Sequence, residues 1–265
     1  MALVNSINDA ISEVAKYQQN SINTRVCYTA VFGDYDELHP PCRTPNVEFI
    51  CFTDQPQPAT SGWNFVLIDF LFIDPRRTAR LFKCLPHILF PNHESSLWMD
   101  GNWLFDSTFL EFVNKHSGDF VCFQHPVRNC LYEEGKACSK QGKDSKELIE
   151  SQLTTYRDAG MPDDFGLINS CIILRRHNQI AVKTFCQEWM DQIAKFSNRD
   201  QLSFPYTAWH LGFSYELFSA RLECAPGLRY MPHKRWIFYD PQGRRMWTVA
   251  GVLAGLYSKL RFLFR

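Results

Sequence analysis

The spacing of hydrophobic side chains near the start of the chain is helical. Apolar residues recur three and four positions apart, at Ile7, Ala10, Ile11, Val14 and Tyr17. This spacing predicts an amphipathic helix of about four turns that ends between Gln19 and Asn23. We therefore assign residues 1–23 to an N-terminal amphipathic helix.

From residue 24 onwards, continuous apolar runs replace the helical spacing. They occupy residues 25–32, 47–53, 63–73, 96–99, 120–123 and 166–174. Runs that do not alternate with polar residues are typical of strands buried on both faces of a mostly parallel sheet. Helical patterns begin at Asp74 and cover residues 180–196, so helices are expected to flank the sheet. The chain is predicted to have an α/β fold.

The composition limits the domain organisation and the classes of function. No Gly-, Pro- or Ser-rich linker and no internal repeat divides the chain, which favours a single domain, here residues 24–240. The 28 basic and 28 acidic residues balance, which disfavours a nucleic-acid binder because such proteins need a basic excess. The ten cysteines include no Cys-x-x-Cys pair, which argues against a redox motif or a zinc knuckle.

The sequence also carries expectations about cellular location. No run of 18 apolar residues is present, so no membrane-spanning helix is expected. The first 25 residues lack the apolar core of a secretory signal, and the chain has no Asn-x-Ser/Thr sequon. These features favour a cytoplasmic protein.

One predicted strand ends abruptly at Asp100-Gly101-Asn102. Ligands of α/β folds bind at the carboxyl ends of strands, and oxygen ligands on either side of a glycine can face one hard cation. A turn stabilised by its own side chains is the alternative. Arg80 and Lys83 lie on the preceding predicted helix and offer the charge and donors that a diphosphate requires. Together the two features favour a site for a cation and a diphosphate.

Five short segments, at residues 25–38, 51–54, 79–87, 97–102 and 199–204, occur in a fixed order along the chain. In this order they resemble the TOD/MUCI glycosyltransferase-like domain family. That family is similar in turn to the GT-A nucleotide-sugar transferases, especially glycosyltransferase family eight. The resemblance implies a GT-A-like fold with a mixed, mostly parallel sheet, and an enzyme that uses a nucleotide-diphosphate sugar as donor.

The resemblance also implies that Thr29, Ala30, Tyr35, Asp54, Arg80 and Asn169 bind the donor, and the charges of Lys83 and Lys234 suit the same donor. The first three are expected at the nucleoside, with Asp54 near the base or ribose. Arg80, Lys83 and Lys234 are expected at the phosphates, where positive charge stabilises a leaving diphosphate. Asn169 is expected to line the pocket of the transferred sugar.

A divalent cation, Mn or Mg, is a further implication of the resemblance. Asp100 and Asn102 stand at the metal-binding motif, and His233 stands where a histidine completes the metal shell in related enzymes. Asn102 departs from the Asp-x-Asp pattern, and an uncharged amide should weaken the affinity for the cation. An ordinary surface histidine is the alternative for His233.

Asp200 and Gln201 resemble the Asp-Gln pair that lies beside the transferred sugar in family eight. A carboxylate at that place could act as nucleophile, as base, or as electrostatic partner of an oxocarbenium-like centre. The sequence leaves these roles open. Asp200 also follows Ser197-Asn198 and could simply stabilise the start of a helix.

The C-terminal segment, residues 241–265, combines apolar residues with Lys259, Arg261 and Arg265. A basic amphipathic segment of this kind could lie on the inner face of an anionic membrane. A terminal helix docked on the core is the alternative.

These observations lead to one principal hypothesis and two alternatives. The principal hypothesis is a metal-assisted glycosyltransferase that acts on a glycan or a lipid-linked acceptor, as in polysaccharide biosynthesis. The first alternative is a non-catalytic module that binds a nucleotide sugar or a glycan, which Asn102 favours. The second is a glycoside hydrolase that uses two carboxylates such as Glu133 and Asp200.

Overall fold

The computed structural model describes residues 6–18, 24–42, 44–55, 62–69, 74–231, 233, 237–239 and 245–247. The helices in these ranges are α1 (Ile7–Gln18), α2 (Pro75–Cys84), α3 (Pro86–Leu89), α4 (Ser107–Asn114), α5 (Leu131–Lys140), α6 (Lys146–Asp158), α7 (Ile180–Lys195) and α8 (Asp200–Leu211). The strands are β1 (Arg25–Val31), β2 (Val47–Thr53), β3 (Asn64–Leu67), β4 (Ser95–Met99), β5 (Trp103–Phe105), β6 (Phe120–Gln124), β7 (Ile168–Arg175), β8 (Glu216–Leu217), β9 (Leu228–Tyr230), β10 (Ile237–Tyr239) and β11 (Arg245–Trp247).

Seven strands form one sheet in the order β3-β2-β1-β4-β7-β6-β8. Strand β1 runs parallel to both β2 and β4, and β2 runs parallel to β3. Strand β7 runs antiparallel between β4 and β6, whereas β6 and β8 are parallel. The predicted α/β fold, with a mixed and mostly parallel sheet in a single domain, is therefore confirmed.

The central strands bury side chains on both faces of the sheet. On β1, Val26 and Tyr28 face a core that contains Phe82 of α2 and residues of α7 and α8. Cys27 faces the opposite core, to which α4 contributes Phe109. Burial on two faces explains why the apolar runs in the sequence are continuous instead of alternating.

Several predicted elements appear with changed boundaries. The helix predicted within residues 1–23 is α1, and the third apolar run supplies the short strand β3; residues 70–73 lie outside the described residues. The membrane-binding hypothesis rests on residues 241–265, which the structure describes only for the backbone of β11. Among the described residues, no helix has both the length and the apolar character needed to cross a bilayer.

The parallel strands bring three chain segments to one edge of the sheet. Because β1, β2 and β4 point the same way, the turns that follow them meet at their carboxyl ends. Asp74 is the N-cap residue of helix α2, and its Oδ1 accepts a hydrogen bond from the backbone N–H of Arg76 at 3.0 Å. Such a cap satisfies a donor that has no partner inside the helix. The cap fixes the start of the helix that carries Arg80 and Lys83.

Candidate active site

Asp200, the first residue of α8, is the most heavily bonded carboxylate of the site. Its side chain is 2% exposed. Its Oδ2 accepts hydrogen bonds from Lys83 Nζ at 2.5 Å and from Ser170 Oγ at 2.8 Å. Its Oδ1 lies 3.5 Å from Nε of Arg80. Arg80 and Lys83 reach the same carboxylate because positions three apart share one face of a helix.

The surrounding charges keep Asp200 ionised. Burial alone would raise the pKa of this carboxyl, but Arg80, Lys83 and Arg199 oppose burial and hold the pKa well below its ordinary value. The same ion pair raises the pKa of Arg80 against the effect of its own burial. Asp200 is a first-turn helix acid, and it also belongs to a buried charge network. The two interpretations of the sequence therefore both apply.

Lys83 connects Asp200 to the second predicted acidic residue, Asp100. Its fully buried ammonium lies 3.6 Å from Oδ1 of Asp100. The same oxygen accepts a hydrogen bond from Nε1 of Trp98 at 2.8 Å. The structure thus brings Lys83, Asp100 and Asp200 together. The Lys83 ammonium forms its ion pairs in the structure with these two carboxylates. A contact between Lys83 and a diphosphate stays a prediction.

The glycine between Asp100 and Asn102 is required by close packing. A Cβ atom at Gly101 would lie only 2.6 Å from Cγ2 of Val31, at the end of β1. That Cβ position is 3.7 Å from Oγ1 of Thr29, a buried hydroxyl without a hydrogen-bond partner among the described residues. The turn therefore lies directly against the end of β1, beside a polar atom that a ligand could satisfy.

The chain returns to this turn through the small β5–β9 sheet. Trp103 pairs with Tyr230, and the backbone oxygen of Asn102 accepts a hydrogen bond from the N–H of Met231 at 2.8 Å. His233 follows two residues later, and its Nδ1 lies 2.7 Å from Oδ1 of Asp36. The Cβ of Asp36 is 3.8 Å from the Cβ position of Gly101. All three predicted metal ligands therefore lie around the same turn.

A divalent cation at this turn stays a prediction. Asp100 and Asn102 offer hard oxygen atoms, and a histidine paired with a carboxylate, as His233 is with Asp36, is the usual arrangement at metal sites. Within the described ranges, no group of three or more His, Cys, Asp or Glu side chains could hold a metal ion. A cation here would thus depend on the amide of Asn102 and on ligands from the substrate.

The predicted nucleoside residues gather at the ends of β1 and β2. Both carboxylate oxygens of Asp54 lie 3.1 Å from the backbone N–H of Gly33, which ties the turn after β2 to the turn after β1. Ala30 is half-buried on β1. Tyr35 is 41% exposed, and its ring lies 4.8 Å from the ring of His233. Thr29 is the predicted nucleoside residue that lies against the Asp100 turn, and a nucleoside site at these strand ends stays a prediction.

Gln201 and Asn169 lie on the Asp200 side of the site. Gln201 donates from Nε2 to the backbone oxygen of Ile168 at 3.2 Å, and Oδ1 of Asn169 accepts from the N–H of Cys171 at 3.0 Å. Both side chains therefore bond to β7. Their predicted roles beside a sugar stay predictions, and Lys234 lies outside the described residues.

Two residues of this network were not predicted from the sequence: Ser170 and Arg175. Arg175 is fully buried and donates to the backbone oxygen of Lys83 at 2.7 Å and to the hydroxyl of Tyr28. It thereby satisfies a carbonyl in the last turn of α2, where helices lack internal partners. Ser170 follows the predicted residue Asn169, and its role becomes visible only in its hydrogen bond to Asp200.

The hydrolase alternative depends on a second carboxylate with suitable acidity. Glu133 is exposed, whereas its neighbour Glu134 is buried and bonded to Nε of Arg128 at 2.5 Å. Burial alone would raise the pKa of Glu134, but the bonds from Arg128 and Cys138 outweigh it and lower the pKa. Glycosidases need a carboxyl with a raised pKa as the proton donor. The pKa of Asp200 is lowered as well, so neither Asp200 nor Glu134 suits the role of proton donor, and a role for the exposed Glu133 stays a prediction.

Comparison with known proteins identifies relatives of this chain. A model of the TOD1/MUCI70 glycosyltransferase-like domain matches residues 5–223. The probable hexosyltransferase MUCI70 of Arabidopsis thaliana is 30% identical over 155 residues, which are 54% of this chain and 26% of that protein. The alkaline ceramidase TOD1 of the same plant is 24% identical over 224 residues, which are 70% of this chain and 48% of that protein. The chain thus spans about a quarter and about half of these relatives.

Two solved structures are also similar in outline. The apo structure of the bifunctional glycosyltransferase WbbM has a TM-score of 0.45 and 12% identity, and the match covers 77% of this chain and 39% of WbbM. The apo structure of mouse xyloside xylosyltransferase 1 has a TM-score of 0.38 and 9% identity, and the match covers 74% of this chain and 84% of that protein. These scores are too low to assign a function. The family match covers most of the sequence, and the chain belongs to the TOD1/MUCI70 glycosyltransferase-like domain family.

Proposed function

We propose that this domain transfers a sugar from a nucleotide-diphosphate donor to a glycan or a lipid-linked acceptor. The observation that carries the proposal is the network in which Lys83 joins Asp100 and Asp200, with Arg80 beside them at the carboxyl ends of β1 and β4. Ligands of α/β folds bind at this edge. Membership of a glycosyltransferase-like family supports the same conclusion.

In this proposal Arg80 stabilises the leaving diphosphate. A guanidinium offers several donors in a fixed plane and matches phosphate oxygens well. Arg80 is largely buried, and its Nε makes no hydrogen bond within the described part of the chain. Positive charge already in place when the sugar–phosphate bond breaks lowers the barrier without reorganisation. Lys234 is proposed to assist from the segment that follows His233.

The charge network supports an electrostatic role for Asp200. A carboxylate with a lowered pKa, bonded through both oxygens, is a weak base and a weak nucleophile. Its negative charge can still stabilise a sugar that becomes oxocarbenium-like as the donor bond breaks. Gln201 and Asn169 are proposed to orient the sugar from β7 and the start of α8.

A divalent cation, Mn or Mg, is proposed to bind at Asp100, Asn102 and His233. Such a cation would supply further positive charge to the diphosphate. Asp36 would orient the imidazole of His233 through the hydrogen bond that the two side chains make. Thr29, Ala30, Tyr35 and Asp54 are proposed to border the nucleoside.

A thermal-shift screen of UDP- and GDP-sugars, with and without Mn, tests donor binding. We expect a donor to raise the melting temperature in the presence of Mn, and Asp100→Ala to remove the shift. Asp163→Asn changes an exposed acid that forms an ion pair with Arg157, away from the Asp100 and Asp200 network, and is the matched control. No shift with any nucleotide sugar would contradict the proposal.

Turnover of a labelled donor separates an enzyme from a binding module. A transferase should release the nucleotide and pass the labelled sugar to an acceptor or to water. This turnover should be lost in Asp200→Asn. Binding without release would favour the non-catalytic module. Because one relative is named a ceramidase, ceramide is included, and ceramide cleavage without donor turnover would overturn the proposal.

We further propose a cytoplasmic location with peripheral membrane contact through residues 241–265. All ten cysteines are free and eight are buried, which suits a reducing compartment. Removing residues 248–265 should reduce binding to anionic vesicles. Unchanged vesicle binding would exclude residues 248–265 as the contact.

A further inference from the structure

A cavity of about 600 Å³ lies at the opposite edge of the sheet from the candidate active site. Arg25 and Ser95, the first residues of β1 and β4, line it together with Arg176, which follows β7. The volume is typical of sites for small molecules. The seven residues of β1 separate this cavity from the Asp100 turn by about 20 Å, at about 3.3 Å per residue.

Arg25 is a partly buried cation that has only neutral partners. Its Nε donates to Oγ of Ser95 at 3.1 Å, and its Nη1 donates to Oδ1 of Asn114. No carboxylate pairs with it among the described residues, and burial lowers its pKa. A guanidinium has five N–H donors, so donors remain for a ligand.

A second arginine lies on the same face of the sheet. Arg25 is level with Ser95, and Arg175 is level with Ser96, so Arg176 is close to level with Ser95. Side chains alternate between the two faces along a strand, and residues that are level on neighbouring strands share a face. Arg25, Ser95 and Arg176 therefore lie on one face of the sheet. Within the described residues, Arg176 forms one ion pair, with Asp119, at 3.7 Å between Nη1 and Oδ1, and both side chains are about half exposed. Such a pair contributes little.

We propose that this cavity binds a small molecule that carries a phosphate group, held by Arg25 and Arg176. A phosphate presents three oxygens that can accept from two guanidinium groups approaching from different strands. The hydroxyl of Ser95 and the side-chain amides of Asn92 and Gln179 line the same cavity and suit the hydroxyls of a phosphate ester. Glu94, the acid in the lining, is exposed. The volume exceeds that of a single phosphate and suits a sugar phosphate.

Isothermal titration with inorganic phosphate and with glucose 1-phosphate tests the proposal. We expect saturable binding of both, tighter for the ester. Loss of one charged hydrogen bond should weaken binding about tenfold or more in Arg25→Gln and in Arg176→Gln. Arg221→Gln, at an exposed arginine outside the cavity, is the control and should bind as the wild type does.

The outcomes separate this site from the proposed catalytic function. Arg176 is exposed, so Arg176→Gln should fold even if Arg25→Gln does not. Binding that survives Arg176→Gln, or that is lost only in Asp100→Ala, would overturn the proposal. If neither inorganic phosphate nor glucose 1-phosphate binds, this proposal is overturned as well, and the transferase proposal is unaffected. Persistence of phosphate binding in Asp100→Ala is the expected result.

Discussion

At the scale of single residues, the candidate chemistry depends on how Asp200 is neutralised. Its buried carboxylate bonds to Lys83 at 2.5 Å and lies 3.5 Å from Arg80. Each charge would be costly to bury alone, and together they compensate one another. Removing one member therefore has a larger effect than the pair contributes to stability.

Asp200→Asn should show this asymmetry. The amide keeps the shape but leaves the ammonium of Lys83 and the guanidinium of Arg80 without their buried anion. We expect the free energy of unfolding to fall by about 3 kcal/mol and donor turnover to be lost. Urea denaturation and a donor assay measure the two effects. Asp163→Asn, at an exposed acid, should change neither, and equal behaviour of the two variants would contradict the charge network.

The lowered pKa of Asp200 predicts sensitivity to acid. A carboxyl whose pKa is lowered on folding stabilises the native state above its unfolded pKa of about 4, and this stabilisation is lost as the pH falls below that value. Glu134, whose pKa is also lowered, acts in the same direction. Urea denaturation at pH 7, 4 and 3 should show decreasing stability, with a smaller decrease in Asp200→Asn. An equal slope in both proteins would contradict the assignment.

At the scale of elements, the position of α2 sets the position of both cations. Asp74 caps this helix, and its Oδ2 also accepts from Nδ2 of Asn198, just before α8. One side chain therefore fixes α2 relative to the loop that leads to Asp200. Arg175 holds the other end of α2 through the backbone oxygen of Lys83.

Asp74→Ala should consequently weaken both stability and donor binding. Loss of a cap costs about 1 kcal/mol, and displacement of α2 would move Arg80 and Lys83. Asp106→Ala is the matched control, since Asp106 caps α4 on the other face of the sheet through the N–H of Thr108 at 2.9 Å. Both variants should lose similar stability in urea, but only Asp74→Ala should bind the donor more weakly. Equal donor binding would show that α2 is held by other contacts.

The contact between the Asp100 turn and β1 gives a second test at this scale. Gly101→Ala places a Cβ atom 2.6 Å from Cγ2 of Val31 and should cost about 1–3 kcal/mol. Combining it with Val31→Ala removes the clash and should recover the position of the turn, measured as donor binding in the presence of Mn. No recovery in the double variant would show that the strain lies elsewhere.

At the scale of the whole molecule, one sheet separates two large hydrophobic cores. The Asp100 turn and the cavity beside Arg25 lie at opposite ends of its strands. Eight of the ten cysteines are buried, while Cys42 is partly exposed and Cys224 is exposed. Packing this dense restricts access of reagents to most thiols.

Thiol titration with Ellman's reagent measures this packing. In the native protein we expect rapid reaction of Cys224, slower reaction of Cys42, and protection of the other eight. All ten should react in guanidinium chloride. Early reaction of Cys27 or Cys171, which face the core shared with α4, would contradict the two-core architecture.

The local order of elements was predictable because hydrophobic periodicity is a property of neighbouring residues. Continuous apolar runs indicated β1, β2 and β7, and helical spacing indicated α1 and α7. For helix α8, the sequence indicated only a possible start near Asp200, and Pro205 lies inside the helix. The order of the motifs also predicted that Asp100 and Asp200 belong to one site.

By itself, the sequence determined the α/β class, the two-sided burial of the sheet and the family to which the chain belongs. Only the tertiary structure decided that Lys83 bridges Asp100 and Asp200, that Ser170 and Arg175 support this network, and that Glu134 is the buried member of its pair. The reason is distance along the chain: Lys83 and Asp200 are 117 positions apart, and Asp36 and His233 are 197 positions apart. Such contacts follow from strand order and helix packing, which no local pattern specifies.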